Sequence, residues 1–216
     1  MGFARDTDTV LTLVRRPGHY IVAGTPLLHV TPADRVPDGL QLRLEGAFVL
    51  GNQRTTAQDV EFAILQLVEI ATRALSPGVN DPFTAIACID RLGSAFCRLA
   101  QRRFPGAYRY DDARKLRIIA PPHTFSDHAD AAFNPIRNYA RSSVEVTIRL
   151  LESLAVVASV ATRAADRATL ERHAGMIARG VAEAFPEEAD RYAVDASHHA
   201  FKQALVDRAG HKGSLT

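Results

Sequence analysis

The strongest constraint on the fold is a run of apolar residues with helical spacing inside the stretch from Gly51 to Arg91. Residues three or four positions apart lie on the same side of an α-helix, so a run of this kind marks one buried face. We therefore predict a helix from about residue 57 to residue 75. The apolar positions that define it are Val60, Ile64, Leu67, Val68, Ala71 and Leu75.

Polar residues mark the two ends of this predicted helix. Thr55 and Thr56 can both serve as N-caps. With Thr56 as the cap, Asp59 falls at the third helical position, where a carboxylate accepts from free N–H groups and faces the positive end of the helix dipole. The sequence Ser76-Pro77-Gly78 ends the helix.

A second helix is predicted from Pro82 to about Phe104. Either Asn80 or Asp81 caps it, and Pro82 lies in the first turn, where its missing N–H costs no hydrogen bond. A short turn between two amphipathic helices favours an antiparallel hairpin. In such a hairpin Asp90 is expected to lie opposite residue 67, within reach of Gln66 or Glu69.

The first 50 residues are predicted to form a small β unit. Short β-branched runs between residues 8 and 30 are separated by Pro17-Gly18, Gly24 and Pro26. This pattern resembles one half of a barrel-sandwich hybrid domain of the lipoyl type. The carrier lysine of those domains has no counterpart, since Lys115 is the first lysine, and a purely structural role is favoured. A further strand is predicted from Leu42 to Leu50.

The rest of the chain is predicted to be one β-hairpin followed by helices. Tyr108–Tyr110 and Lys115–Ile119 flank an acidic turn, which is typical of a hairpin. The first of the later helices is predicted from Ser126 or Asp127 to Arg141, with either a kink or a division into two short helices at Asn134-Pro135. Further helices are predicted from Val144 to about Arg163 as the central helix, from a cap at Asp166, and from Pro186 to about Arg208. The expected fold class is α+β and mainly α, with a β domain over residues 1–50 and a helical domain over residues 51–216.

Composition narrows the function classes. The chain of 216 residues is 47% hydrophobic, enough to bury a core, and 26 basic residues against 24 acidic ones leave a net charge of +2. This balance argues against nucleic acid as a partner. Cys88 and Cys97 lie nine positions apart on one predicted helix and cannot bridge each other, which favours free thiols in a reducing compartment. Without a long apolar run, the chain as given is expected to be soluble and cytoplasmic.

A long motif between Arg54 and Leu92 carries a family resemblance. It reads R-T-x-x-Q-D-x-x-F-A-I-x-Q-L-V-E-I-A-x-R-A-L-S-P-G-V-N-D-P-F-T-A-x-x-C-I-D-R-L and resembles the signature of the domain of unknown function 2254 family, which contains predicted bacterial membrane proteins. The sequence R-P-G-x-Y-I-V-A-G-T-P-L at Arg16–Leu27 is similar to what precedes that signature. The resemblance implies membrane attachment through N-terminal spanning helices that this sequence lacks, at the cytoplasmic face if the natural product is longer. It implies no reaction and no cofactor.

Motifs for known catalytic chemistry are missing from the sequence. There is no H-E-x-x-H, C-x-x-C, G-x-S-x-G or G-x-G-x-x-G, and the glycines at Gly46 and Gly51 lack the lysine of a phosphate-binding loop. The nearest approach to a metal-ligand set is His123, His128 and Asp130, for which a solvated helix start is the favoured interpretation. We predict no metal and no cofactor, and leave open whether the chain is an enzyme.

The candidate ligand-binding residues are the polar residues of the signature, namely Arg73, Ser76, Asn80, Asp81, Asp90, Arg54 and Asp59. A helix from residue 57 to 75 is roughly 25 Å long, so Arg54 and Asp59 at one end cannot meet the group at the other. The S-P-G-V-N-D-P turn is either helix-capping architecture or a binding site. Capping alone needs only one of Asn80 and Asp81 and does not need Arg73.

Three classes of function remain open. The favoured one, from the resemblance, is a cytoplasmic regulatory, sensory or assembly domain of a membrane protein. The second is an enzyme that acts on a small molecule through the acidic and basic residues of the turn. The third is an interaction domain that pairs subunits. A homo-oligomer is expected, and a small-molecule ligand is compatible with the first two classes.

Overall fold

The computed structural model describes residues 1–39, 46–56 and 59–210. The chain divides into two compact units, which are described separately. The first contains Met1–Phe62 and Phe104–His123, and the second contains Ala63–Arg103 and Thr124–Thr216.

The first unit is built on a four-stranded mixed sheet. Its elements are helix α1 (Gly2–Asp6), strands β1 (Val10–Leu13) and β2 (Leu28–Thr31), a 3-10 turn (Ala33–Arg35), and strands β3 (Tyr108–Tyr110) and β4 (Leu116–Ile119). The strand order is β2-β1-β4-β3. The two outer pairings are antiparallel, whereas β1 and β4 pair in parallel, with Leu11 opposite Ile118. The predicted hairpin at residues 108–119 is confirmed, and it joins the N-terminal strands in one sheet.

A buried arginine on β4 ties this sheet to its surroundings. Arg117 Nε donates to Asp111 Oδ2 at 2.7 Å, and Arg117 Nη1 donates to Asp8 Oδ1 at 2.8 Å and to the carbonyl of Ala4 at 3.2 Å. The Arg117 guanidinium holds the pKa of both carboxyl groups below their usual range. One side chain therefore links the hairpin turn to α1 and to the loop after it.

The second unit is helical. Its elements are α2 (Val60–Ala74, which begins in the first unit), α3 (Pro82–Gln101), α4 (Phe125–Tyr139), a 3-10 turn (Ala140–Ser142), α5 (Val144–Val160), α6 (Ala164–Arg179), α7 (Val181–Ala184) and α8 (Glu188–Gly210). Helix α5 packs against α3, α6 and α8, which confirms its predicted central place. An aromatic cluster fills the core nearby, where Phe96 contacts Phe125 edge-on at 5.4 Å and Phe133 at 4.9 Å between ring centres.

Two predicted caps of the hairpin region have different outcomes. Asp81 caps α3 and Pro82 is its first residue, as predicted. The start of α2 was predicted too early, because the helix begins at Val60 and Asp59 itself accepts from the backbone N–H of Phe62 at 3.0 Å. Asp59 therefore takes the capping role that the sequence analysis assigned to Thr55 or Thr56.

Later helix starts also differ from the predictions. Thr124 caps α4 in a reciprocal capping box with Asp127, so the cap precedes Ser126 and Asp127. Pro135 lies inside one continuous α4, so the alternative of two short helices is wrong, and the kink remains a prediction. Helix α6 begins before Asp166, which lies in its first turn. Several adjacent polar residues can cap each of these helices, and the tertiary packing decides which of them does so.

The predicted packing of α3 against α2 is wrong. Helix α3 packs chiefly against α5, and in the part of the chain that the structure describes α2 is not packed closely along α3. Asp90 accepts from Arg149 Nε of α5 at 2.5 Å and not from Gln66 or Glu69. The apolar face of α3 pairs with a partner that is distant in sequence, which a hairpin rule does not anticipate.

The mainly α, α+β class is confirmed. Of the strand predicted from Leu42 to Leu50, residues 42–45 lie outside the described residues, and residues 46–50 are turn and coil. The compact first unit takes strands from both sides of the sequence-based boundary at residue 50. The division into two domains at residue 50 remains a prediction.

The close contact between α3 and α5 leads to a testable prediction about Gly93. A Cβ at Gly93 would overlap Ser153 Oγ and would lie 3.5 Å from Ser153 Cβ, and this hydroxyl is buried without a hydrogen-bond partner among the described residues. Gly93→Ala should therefore destabilise the protein by about 1 kcal/mol, because overpacking outweighs the better helix propensity. In a Ser153→Ala background the same substitution should stabilise by about 1 kcal/mol. Urea unfolding of the four proteins in this cycle tests the change of sign, and a destabilisation of equal size in both backgrounds would contradict it.

Candidate functional site

Arg54 and Asp59, two of the predicted site residues, come together at the start of α2. Arg54 Nε donates to Asp59 Oδ2 at 2.7 Å, and Arg54 Nη2 lies 2.7 Å from the same oxygen. Only 5% of Asp59 is exposed. The other carboxylate oxygen, Oδ1, caps α2, so one buried side chain serves both the ion pair and the helix start.

Three more residues extend this ion pair. Arg54 Nη2 donates to Glu61 Oε2 at 3.2 Å, and Glu61 Oε1 lies 3.8 Å from His123 Nδ1. Arg16 Nη1 lies 3.2 Å from His123 Nδ1. We call Arg16, Arg54, Asp59, Glu61 and His123 the Arg54 cluster. It joins three segments of the first unit: the R-P-G loop, the start of α2 and the chain that follows β4.

A glycine closes the cluster on its loop side. Gly18 has φ +85°, a left-handed conformation that favours glycine. A Cβ at this position would overlap Asp59 Oδ2, and it would lie 2.7 Å from Asp59 Cγ and 3.0 Å from Arg54 Nε. The R-P-G loop therefore packs its backbone directly on the carboxylate.

The electrostatics of the cluster favour paired charges. Burial lowers the pKa of Arg54, but the bonds from Asp59 and Glu61 outweigh it and raise that pKa overall. His19 contacts His123 edge-on at 6.2 Å between ring centres, and burial, with help from Arg16 and His123, lowers the pKa of His19. His19 is therefore neutral at neutral pH. Both carboxylates are held by Arg54, so the arrangement acts as an ion-paired junction of three segments.

The polar side chains of the S-P-G-V-N-D-P turn form hydrogen bonds with residues close to them in sequence. Asp81 Oδ1 accepts from the Thr84 backbone at 3.1 Å and Oδ2 accepts from the Thr84 hydroxyl at 2.5 Å, and these bonds lower the pKa of Asp81. Ser76 Oγ donates to the carbonyl of Arg73 at 2.7 Å. Asn80 adopts φ 47°, a left-handed conformation that asparagine tolerates. These contacts explain the turn as architecture, and ligand binding there remains a prediction.

The side chains of the two remaining predicted site residues, Arg73 and Asp90, are paired outside the turn. Arg73 pairs with Glu69 on the surface of α2 at 2.6 Å, and its side chain is 78% exposed. Asp90 is paired with Arg149, which also bonds Glu152 at 2.9 Å. Sequence reasoning missed Glu61, which is local to Arg54. It also missed Gly18 and His123, which only long-range packing brings to the Arg54 cluster.

Two residues of the predicted metal-ligand set, His123 and Asp130, have other contacts: His123 belongs to the Arg54 cluster, and Asp130 is paired with side chains of α6. Asp130 Oδ1 accepts from Arg172 at 2.8 Å and lies 3.1 Å from the buried His173. Burial, with Arg172, lowers the pKa of His173 to about 4, so this imidazole is neutral. In residues 1–39, 46–56 and 59–210, no group of three or more histidine, cysteine or acidic side chains is placed to hold a metal ion.

The turn can be tested as architecture with three substitutions. Asp81→Asn retains a competent cap, so it should lower the melting temperature less than Asp81→Ala does. Arg73→Gln should leave the melting temperature within error, because the Glu69 pair is solvent-exposed. Thermal unfolding followed by circular dichroism gives the ranking. A loss in Arg73→Gln as large as that in Asp81→Ala would contradict this account.

These observations first define a class of protein: an α+β chain with a mixed sheet and a helical unit, in which no described helix is long and apolar enough to cross a membrane. The chain belongs to the family described as predicted membrane protein (DUF2254), whose family model matches residues 1–156. The resemblance carried by the signature is thereby confirmed.

Two mycobacterial proteins that are named only as uncharacterized proteins are similar to the chain. One from Mycobacterium tuberculosis and one from Mycobacterium bovis are each 33% identical to this chain over 142 residues, which cover 66% of the chain. The match spans 27% of the length of each relative, so those proteins are several times longer than the shared region. No solved structure matches the chain.

Proposed function

We propose that this chain is the cytoplasmic part of a membrane protein, serving as a regulatory, sensory or assembly module. The observation that carries the proposal is membership in a family of predicted membrane proteins whose mycobacterial members extend far beyond the shared region. Their additional sequence has room for membrane-spanning segments. The shared region would then be the part that lies in water.

The cysteines support the cytoplasmic side. Cys88 is buried and Cys97 half-buried on the same helix, α3, and both are free thiols. Burial raises the pKa of each thiol, which keeps them protonated and unreactive at neutral pH. Free thiols of this kind are typical of a reducing compartment.

The acidic side chains of the signature already accept hydrogen bonds from other residues of the chain. This favours a module that binds a partner or transmits a signal, and it disfavours an enzyme. Asp59 and Glu61 are held by Arg54, Asp81 by Thr84 and Asp90 by Arg149. Carboxylates satisfied in this way hold segments in place. We extend the proposal to self-association, supported by exposed apolar side chains on two packed helices: Val156 on α5, and Tyr192 and Val206 on α8. Sedimentation analysis at several protein concentrations tests this part.

Membrane topology tests the main proposal. The natural gene product would be expressed with Cys88→Ala and Cys97→Ala, and with Val49→Cys, since Val49 is 99% exposed. A membrane-impermeant maleimide should label this cysteine in inside-out vesicles and leave it unlabelled in right-side-out vesicles. The same protein without Val49→Cys is the matched control. Labelling from the opposite side would overturn the cytoplasmic placement, and absence of the protein from the membrane fraction would overturn membrane attachment.

A further inference from the structure

The loop that connects β1 to β2 carries an exposed apolar tip. Tyr20 is 88% exposed and Val22 is 57% exposed. Between and after them, Ile21 is half-buried and Ala23 is exposed. We call Tyr20, Ile21, Val22 and Ala23 the Tyr20 tip. Single exposed apolar residues are common on protein surfaces, but a run of them at the end of one loop is typical of a contact site.

Hydrogen-bonded turns order the chain on both sides of the Tyr20 tip. Before it, the His19 N–H donates to the Arg16 carbonyl at 3.1 Å. At its end, the Thr25 N–H and hydroxyl donate to the Val22 carbonyl at 3.1 Å and 2.7 Å. Each turn has a glycine at its third position, with φ of +85° and +84°, as a type II turn requires. The apolar side chains are therefore exposed on an ordered loop.

The charge at the base of the Tyr20 tip is positive. Residues 9–33 contain no acidic residue and two arginines, Arg15 and Arg16. Among the described residues, Arg15 has no acidic partner, and its Nε has no hydrogen-bond acceptor. Both carboxylates of the Arg54 cluster are held by Arg54. An apolar tip above a cationic base complements a surface that is apolar inside and negatively charged outside.

We propose that the Tyr20 tip enters the interfacial layer of an anionic lipid bilayer. This inference rests on the proposed membrane attachment and adds a direct contact between the first unit and lipid. Tyrosine is enriched at membrane–water interfaces because its ring is apolar and its hydroxyl is polar. The apolar area of the tip would provide affinity, and Arg15 and Arg16 would attract anionic headgroups. Because the loop is already ordered, the contact costs little conformational entropy.

A tryptophan probe tests this contact directly. The chain contains no tryptophan, so Tyr20→Trp introduces a single fluorophore at the tip. Vesicles of mixed phosphatidylglycerol and phosphatidylcholine should move its emission to shorter wavelength, and brominated lipid should quench it. The matched control is Tyr192→Trp on α8, where the tyrosine is 76% exposed. The emission of this control should not change when vesicles are added.

Two further substitutions separate the apolar and the charged contributions. In the Tyr20→Trp chain, Val22→Ser should lower the partition coefficient into the mixed vesicles about ten-fold, because the tip loses apolar area. Val206→Ser, at an exposed valine of α8, should leave the partition coefficient unchanged. Arg15→Gln should reduce the preference for mixed vesicles over pure phosphatidylcholine about five-fold, provided that circular dichroism shows a folded chain.

Three outcomes would overturn the proposal. The first is an unchanged emission of Tyr20→Trp with both kinds of vesicle. The second is an equal shift in Tyr20→Trp and Tyr192→Trp, which would indicate general adsorption of the chain. The third is a shift that appears without vesicles as protein concentration rises, which would assign the tip to a second copy of the chain. Maleimide labelling reports the topology of the natural gene product and the vesicle experiment reports the tip, so either proposal can fail alone.

Discussion

Replacing Gly18 with alanine should destabilise the first unit by about 2–5 kcal/mol. The left-handed backbone at φ +85° costs a side chain about 1–2 kcal/mol. The new Cβ would also displace the Asp59 carboxylate from Arg54 and from the α2 cap, a further loss of about 1–3 kcal/mol for buried charged hydrogen bonds. Hydrogen exchange of the amides in β1 and β4, read at increasing urea concentration, measures the stability of this unit.

Gly24 provides the matched control for this prediction. Its φ is +84°, almost the same as that of Gly18, but a Cβ there would meet no atom within 4 Å. Gly24→Ala should therefore cost only the backbone part, about 1–2 kcal/mol. Equal losses in Gly18→Ala and Gly24→Ala would show that the Asp59 contact contributes nothing, and would remove the reason for placing the R-P-G loop in the cluster.

The second large effect is expected at Asp59. Asp59→Asn keeps an oxygen for the backbone N–H of Phe62 but loses the charge that pairs with Arg54, so a loss of about 2 kcal/mol is expected. Asp59→Ala also loses the cap, which adds about 1 kcal/mol. Urea unfolding of the two variants separates the contributions of the ion pair and the cap. Equal stability of Asp59→Asn and the unaltered protein would sink the ion-pair account.

A double-mutant cycle locates the coupling. Combining Asp59→Asn with Arg54→Gln should reveal an interaction energy of about 1–3 kcal/mol, reduced somewhat because Arg54 is 29% exposed. The exposed pair of Glu69 and Arg73 on the same helix is the control, with an expected coupling of about 0–1 kcal/mol. If the two couplings were equal, the buried position of Asp59 would have no special value.

Two of the five residues of the Arg54 cluster could be predicted from sequence, for a physical reason. Arg54 and Asp59 are five residues apart at one helix end, so their proximity follows from local geometry. His123 and Gly18 reach them only through the sheet, where β1 pairs with β4 across about a hundred residues of chain. No local pattern encodes such a pairing, because strand partners are selected by packing and not by spacing.

The same division applies to the helices. The periodic apolar residues of α2, α3 and α5 were enough to predict these helices. Asp81 and Pro82 were enough to predict where α3 starts, because capping depends on contacts within four residues. The choice of partner did not follow: α3 packs on α5, where Gly93 admits close approach to Ser153.

The sequence by itself thus determined the mainly helical class, the family, the free thiols and the capped turn, all of which rest on local spacing or on a continuous motif. The tertiary structure alone decided the single mixed sheet, the approach of Gly18 and His123 to the Arg54 cluster, and the pairing of Asp90 with Arg149. Those features depend on which surfaces bury each other. That choice minimises exposed apolar area over the whole chain, and no segment of the sequence states it alone.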